Sequence, residues 1–329
     1  MTKLSRELLA APLALTCALT VSLAAFAQSG RVYRIGVLET PTASANTKNL
    51  DALLRGLREA GYIEGKNLII DYRSADGRAE RYRELAEDLL RARPDIIVTR
   101  GTTATAAAKK SGTIPIVMTA AANPVGTGLV ASLARPGGNV TGLTSLVAEI
   151  HGKRLELLKE LLPSVKRVGF TANLDNANTP AMWQQAEQAA RSLGLQVQLV
   201  GARDASALAL GLETARKQGI GALLVNTESL MLANRRAIVD FGATHKLPVM
   251  YSSREFMDVG GLISYGVDYP ALYYRAATFV DRILKGAKPG DLPIEQPTKF
   301  ELVINLKTAK ALGIQIPRDL LMRADEVIQ

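Results

Sequence analysis

The residues of this chain that could do chemistry are small hydroxyls and amides in short loops. They recur at Thr40-Pro41-Thr42, Gly101-Thr102-Thr103, Ala122-Asn123-Pro124, Asn173 to Thr179 with Asn176 inside it, Asn226-Thr227-Glu228, Ser252-Ser253-Arg254-Glu255 and Gly266-Val267-Asp268-Tyr269. Such groups hydrogen-bond a polar solute but supply no strongly tuned base or nucleophile. Ser, Thr and Asn at these places are also ordinary helix N-caps, so capping competes with ligand contact at each. Asp268 is a natural partner for an ammonium group or for a structural cation. The amides of Gly101-Thr102-Thr103, at a helix start, suit a carboxylate. Tyr273 is the aromatic best placed to stack on a solute, whereas Trp183 reads as packing.

Other chemistries find no footing. The first β-like run is followed by Thr40-Pro41-Thr42 rather than G-x-G-x-x-G, and neither a phosphate-binding G-x-x-x-x-G-K-[ST] loop nor a G-x-S-x-G elbow occurs. His151 and His245, the two histidines, are far apart and read as surface or helix-end residues. The one cysteine is Cys17, which leaves no zinc set and no disulfide in the body, while a carboxylate-rich hard-metal site stays open. No cofactor is expected.

The elements that must position these loops alternate in type. Strands are expected at 34–39, 67–72, 95–99 and 116–119 with helices near 50–60, 80–91 and 102–110, which is one parallel sheet of βαβ units. A Gly- and Pro-rich stretch at 122–143 breaks the rhythm. A second parallel sheet then follows from strands at 168–171, 196–200, 222–226, 249–252 and 262–265, with helices near 153–162, 181–193, 205–217 and 234–245. The last sixty or so residues, with a helix near 272–284, a strand at 300–304 and a helix near 306–312, are too short for a core of their own. They must complete the earlier lobes, so the chain passes between lobes more than once. That makes a hinge.

With 329 residues, 47% hydrophobic and 22% charged, the chain suits about two globular domains. Its first 27 residues differ: Lys3 and Arg6 precede an apolar run over 8–25, and Ala25-Phe26-Ala27 offers a signal-peptidase site. A cut after Ala27 and a periplasmic destination are expected. A membrane anchor is the alternative, disfavoured by the run's Ala, Thr and Ser content; a lipid on Cys17 is another, disfavoured because Thr16 precedes it and apolar residues continue past it. Losing Lys3, Arg6 and Glu7 takes a net +1 from the formal +9, leaving +8. Basic residues interleave with acidic ones (Arg78, Glu80, Arg81, Arg83, Glu84, Glu87, Asp88, Arg91), so a solvated surface rather than a nucleic-acid site is expected.

Four long stretches carry a family resemblance: IGVLETP, PIVMTAAANPVGTGLVASLARPGGNVTGLT, PVMYSSREFMDVGGLISYGVDYPALYYRAA and LPIEQPTKFELVINLKTAKALG. They resemble the ABC-transporter substrate-binding family that includes tryptophan-binding TrpX-type proteins, over essentially the whole body. The resemblance implies a type I periplasmic-binding-protein architecture: two Rossmann-like α/β lobes, three hinge crossings and a ligand between the lobes. It implies lobes of 31–145 plus 270–299 and 146–269 plus 300–329. It also implies an amino acid or related solute contacted by Gly101 to Thr103, Asn123, Asn173, Asn226-Thr227, Ser252 to Glu255 and Asp268. Tryptophan-binding relatives carry a Ser- and Glu-containing stretch where this chain has Asn173-Leu174-Asp175-Asn176-Ala177-Asn178. The implied partners are an ABC permease with its cytoplasmic ATPase, the receptor itself acting as a monomer without catalysis. A signalling receptor would use the same fold. A periplasmic hydrolase would need a clustered acid and base, and a cytoplasmic repressor would lack the leader and carry a DNA-binding head.

Overall fold

The computed structural model describes residues 31–145 and 150–329. The leader, its cut after Ala27 and Cys17 lie outside the described residues. In the first lobe β1 (Tyr33–Glu39), β2 (Leu68–Ser74), β3 (Ile96–Thr99), β4 (Ile116–Ala121) and β5 (Val140–Thr144) form a parallel sheet in the order β2-β1-β3-β4-β5. Strands β3 to β5 are buried throughout, as parallel strands covered on both faces must be. Leu53 and Leu57 of α1 (Thr47–Glu59) cover one face through Val37 and Val98. Leu85 and Leu89 of α2 (Arg81–Arg91) and Ala104 of α3 (Thr102–Ser111) cover the other through Leu38 and Met118.

Strand β5 closes the Gly- and Pro-rich stretch that reads as a break. It hid because Gly142 interrupts its β-branched run. Gly142 sits at φ +123°, and a Cβ there would lie 2.2 Å from the Met118 carbonyl oxygen, so glycine is what lets β5 pair with β4.

The second sheet contains β6 (Arg167–Asn173), β7 (Gln196–Ala202), β8 (Ala222–Val225), β9 (Val249–Tyr251), β10 (Ile263–Val267), β11 (Phe300–Asn305) and β12 (Glu326–Ile328), ordered β12-β11-β10-β9-β8-β6-β7. Helices α4 (Ile150–Leu161) and α5 (Thr179–Ser192) pack on one face. Helices α6 (Ala205–Lys217) and α8 (Arg235–Thr244) pack on the other, with the short α7 (Ser229–Ala233) between β8 and α8. The sheet is mixed rather than parallel throughout, because β11 runs antiparallel to β10. The cause is the hinge: β10 leaves the lobe at Val267 and β11 enters it at the paired Phe300, so neighbouring crossings oblige opposite directions.

Between these points the chain returns to the first lobe as α9 (Tyr269–Leu284), whose Leu272, Ala276 and Val280 join the core beside Val37 and Leu53. Gly56 permits the close crossing of α1 and α9, since a Cβ there would lie 2.7 Å from that of Ala277. Bridge pairing of Leu143 with Glu295 then guides the chain back before β11, α10 (Leu306–Leu312) and α11 (Arg318–Arg323) complete the second lobe. The chain therefore passes between the two sheets after β5, after β10 and before β11.

Candidate functional site

The carboxyl ends of strands in both lobes border one cleft, where loops enter the following helices. The first lobe lends Thr40, Gly101, Thr102, Thr103, Ala120 and Ala122; the second lends Asn173, Asn176, Asn226, Thr227 and Ser252. Helix α4 adds Ile150, His151 and Arg154, α5 adds Met182, and the β8–α7 junction adds Glu228, Ser229 and Leu232. Arg100, Ser145, Val267 and Tyr269 complete the wall at the hinge. Gly101 holds φ +85° at the start of α3, and a Cβ there would touch nothing. The backbone turn, not crowding, calls for glycine, and it leaves the first amides of α3 at the cleft.

Two opposite charges lie buried here without matching partners. Glu228 is 8% exposed; its Oε2 accepts from the Asn173 amide and the Asn176 side chain, both at 3.2 Å, while its Oε1 has no hydrogen-bond partner. Burial pushes its carboxyl up to about 7 against those two hydrogen bonds. Arg154 is 6% exposed and donates only to backbone carbonyls, Tyr265 at 2.7 Å and Ser252 at 3.5 Å. No described carboxylate forms an ion pair with it, and burial lowers its guanidinium to about 10. Beside it, His151 is 2% exposed with neither ring nitrogen partnered, and burial followed by the Arg154 charge lowers it to about 3.

Other groups join lobe to lobe. The Thr40 hydroxyl meets that of Tyr82 at 2.6 Å and donates to Ser229 at 2.8 Å, and Tyr82 reaches Ser229 at 3.0 Å. Arg100 holds Glu255 through two hydrogen bonds of 2.7 and 2.6 Å, and its guanidinium lies 3.9 Å from the ring centroid of Tyr269. Asn49 also donates to Glu255 at 3.3 Å. Burial raises the Glu255 carboxyl, but the Arg100 charge and hydrogen bonds outweigh that and hold it below its ordinary range. At the rim, Lys48 pairs with Asp258 at 3.0 Å. The lobes are closed on each other.

Thr40, Gly101, Thr102, Thr103, Asn173, Asn176, Asn226, Thr227 and Ser252 all come together at the cleft. Several have structural partners: the Asn226 amide donates to the Thr171 carbonyl at 2.7 Å, and Thr227 meets Ser252 at 2.8 Å. The remaining expected residues do not border it. Asn123, at φ +44°, accepts from the Gly126 amide at 3.1 Å and shapes its own turn. Ser253 donates to Glu255 at 2.9 Å, and Glu255 faces Arg100. Asp268 accepts from the Ala271 amide at 3.0 Å as the N-cap of α9 and pairs with Lys299 at 3.0 Å, the structural alternative. Tyr273 is buried and donates to Glu39, whose other oxygen has no partner.

His245 ends α8 and His151 lies at the start of α4, both at helix ends as expected, but His151 is buried rather than at the surface. Trp183 packs, its ring against Phe170 at 5.9 Å. Neither Arg100 nor Arg154 is among the expected site residues, and Glu228 is expected only as the end of the Asn226-Thr227-Glu228 loop. Arg154 and His151 share a face of α4 and so stand outside the strand-end loops, whereas Glu228 stands beside Asn226-Thr227 in one of them.

A family model described as ABC transporter substrate binding protein matches residues 34–328. The chain is 29% identical over 282 residues to a tyrosine-binding protein of Clostridioides difficile (strain R20291), covering 85% of this chain and 81% of that one. It is similar to an ABC domain from Streptococcus pneumonia in complex with L-Trp: TM-score 0.83, 28% identity, 90% of this chain and 100% of that one. A leucine-binding protein from Thermotoga maritima shares the fold, the type I periplasmic-binding-protein architecture, at TM-score 0.56 and 14% identity over 77% and 83% of the two chains.

Proposed function

We propose a function from a firm premise: the chain belongs to the ABC transporter substrate-binding protein family. It binds a small zwitterion of the α-amino-acid class between its lobes, closes on it, and delivers it to a membrane permease driven by a cytoplasmic ATPase. The observation that carries this reading is the presence, in one cleft, of a buried carboxylate oxygen without a partner and a buried guanidinium without a counter-ion among the described residues. An uncompensated buried charge costs several kcal/mol. A zwitterion compensates both: its ammonium donates to Glu228 Oε1, and its carboxylate takes Arg154 and the amides at the start of α3.

Relatives named for tyrosine and found with L-Trp support the amino-acid class. Thr40, Thr103, Asn176 and Thr227 would supply further hydrogen bonds around the ligand. Closure follows from differential affinity, since contacts from both lobes exist only in the closed form. We assign the cleft a binding role, which the family of substrate-binding proteins supports. The role implies export, with the leader cut after Ala27, and action as a monomer in the periplasm. No helix of the described residues is long and apolar enough to cross a membrane.

A thermal-shift screen of the mature protein against amino acids, short peptides, nucleosides and organic acids tests this. An amino acid present at about 100 times its Kd should stabilise by about 2.7 kcal/mol. A shift with another class and none with any amino acid would overturn the reading.

A further inference from the structure

His151 lines the cleft but takes no part in holding the two charged ends of the proposed ligand. Its ring is held in place: helix α4 carries it, and it packs with the Phe170 ring in an edge-to-face arrangement, centroids 5.4 Å apart. The imidazole is neutral, because a second cation beside buried Arg154 would lie in the same dry environment. A neutral imidazole presents one N–H donor and one bare nitrogen acceptor. Both are buried here and neither has a partner, and each unmet group costs about 1–3 kcal/mol. Ile150 of α4 and Met182 of α5, which line the same wall, are apolar and do not meet these nitrogens.

We propose that His151 is a specificity-determining residue: its imidazole hydrogen-bonds a neutral polar group, a hydroxyl or N–H, on the side chain of the bound amino acid. The proposal rests on the amino-acid reading above and adds to it. The charged ends of such a ligand are matched by Glu228 and Arg154, so the group left to meet an uncharged donor and acceptor is an uncharged one. A site built around such a bond discriminates strongly against an analogue lacking it, since the protein group is then buried unpaired.

The test is calorimetric titration of matched pairs: tyrosine with phenylalanine, threonine with valine, and tryptophan with its indole-N-methyl derivative. Wild-type protein should bind the hydrogen-bonding member of at least one pair more than 30-fold tighter. His151→Phe should cut that ratio to about threefold or less while keeping the affinity for the other member. His151→Gln, which retains a donor and an acceptor, should restore part of the ratio. Equal affinities within every pair on wild-type protein, or an undiminished ratio in His151→Phe, would overturn the role of His151 and leave the amino-acid reading standing. Binding of no member of any pair, alongside a shift with another solute class, would overturn both.

Discussion

Arg100 and Glu255 face each other across the interlobe cleft as a two-point ion pair, Nη1 to Oε1 at 2.7 Å and Nη2 to Oε2 at 2.6 Å. Arg100 ends the β3 strand region of the first lobe and Glu255 follows β9 of the second, so the pair exists only while the lobes are together. The Arg100 side chain is 6% exposed and that of Glu255 is 20% exposed. Removing one member leaves the other buried and unpaired, which is strongly unfavourable. Opening relieves that cost by returning Arg100 to water.

Glu255→Gln is therefore expected to shift the protein toward the open form and weaken ligand binding roughly 5- to 30-fold, by lowering the competent fraction. Small-angle scattering should show a larger ligand-free radius, and calorimetry the lost affinity. Unchanged values for both would remove the pair from closure.

Glu228→Gln should weaken binding of the zwitterion about 10- to 100-fold, the worth of a charge-assisted hydrogen bond. Stability of the ligand-free protein at pH 8 should not fall, because the substitution removes a buried carboxylate whose Oε1 has no partner. Calorimetric titration together with denaturant unfolding separates the two effects. Retained affinity would exclude Glu228 as the ammonium partner.

Ligand-free stability should rise as pH falls from 8 to 6.5. Burial raises the carboxyls of both Glu39 and Glu228 to about 7, well above their ordinary value. The folded protein thus holds protons that the unfolded chain has released, and unfolding becomes harder as pH drops through the folded values. Two such groups contribute about 1–2 kcal/mol over that window. Below 6.5 the buried His151, lowered to about 3, opposes them, since the unfolded chain takes up its proton first. Urea midpoints at pH 8, 6.5 and 5 check both signs, and a midpoint falling between 8 and 6.5 would contradict the account.

Asp268→Ala should lower stability by about 1 kcal/mol through loss of the α9 cap, its exposed pair with Lys299 adding little. Ligand affinity should stay within about twofold. A tenfold loss measured by calorimetry would return Asp268 to the binding site.

The fold was largely legible because strands such as Arg34 to Glu39 and helices such as α2 announce themselves in local periodicity. Strand β5 was not, since a β-branched run broken by Gly142 reads as a turn until the Met118 carbonyl beside it is known. Nor was the antiparallel direction of β11, which depends on where Val267 and Phe300 cross the hinge. The hydroxyls and amides of the cleft followed from their place after strands. Asp268 followed the same rule, and Tyr273 was placed by its nearness to the crossing, yet they turn to Lys299 and Glu39. Position selects a loop, but only packing decides whether its side chain finds a protein partner. Arg154 and Glu228 show the converse, for a charge without a partner is visible only when its surroundings are.

The most direct measurement is calorimetric titration of the mature protein with α-amino acids, with their N-acetyl derivatives and with the corresponding decarboxylated amines. The account predicts saturable one-to-one binding of at least one amino acid, and a loss of about 100-fold or more when either its ammonium or its carboxylate is removed. Binding of an N-acetyl derivative or an amine as tight as that of the parent amino acid would contradict it.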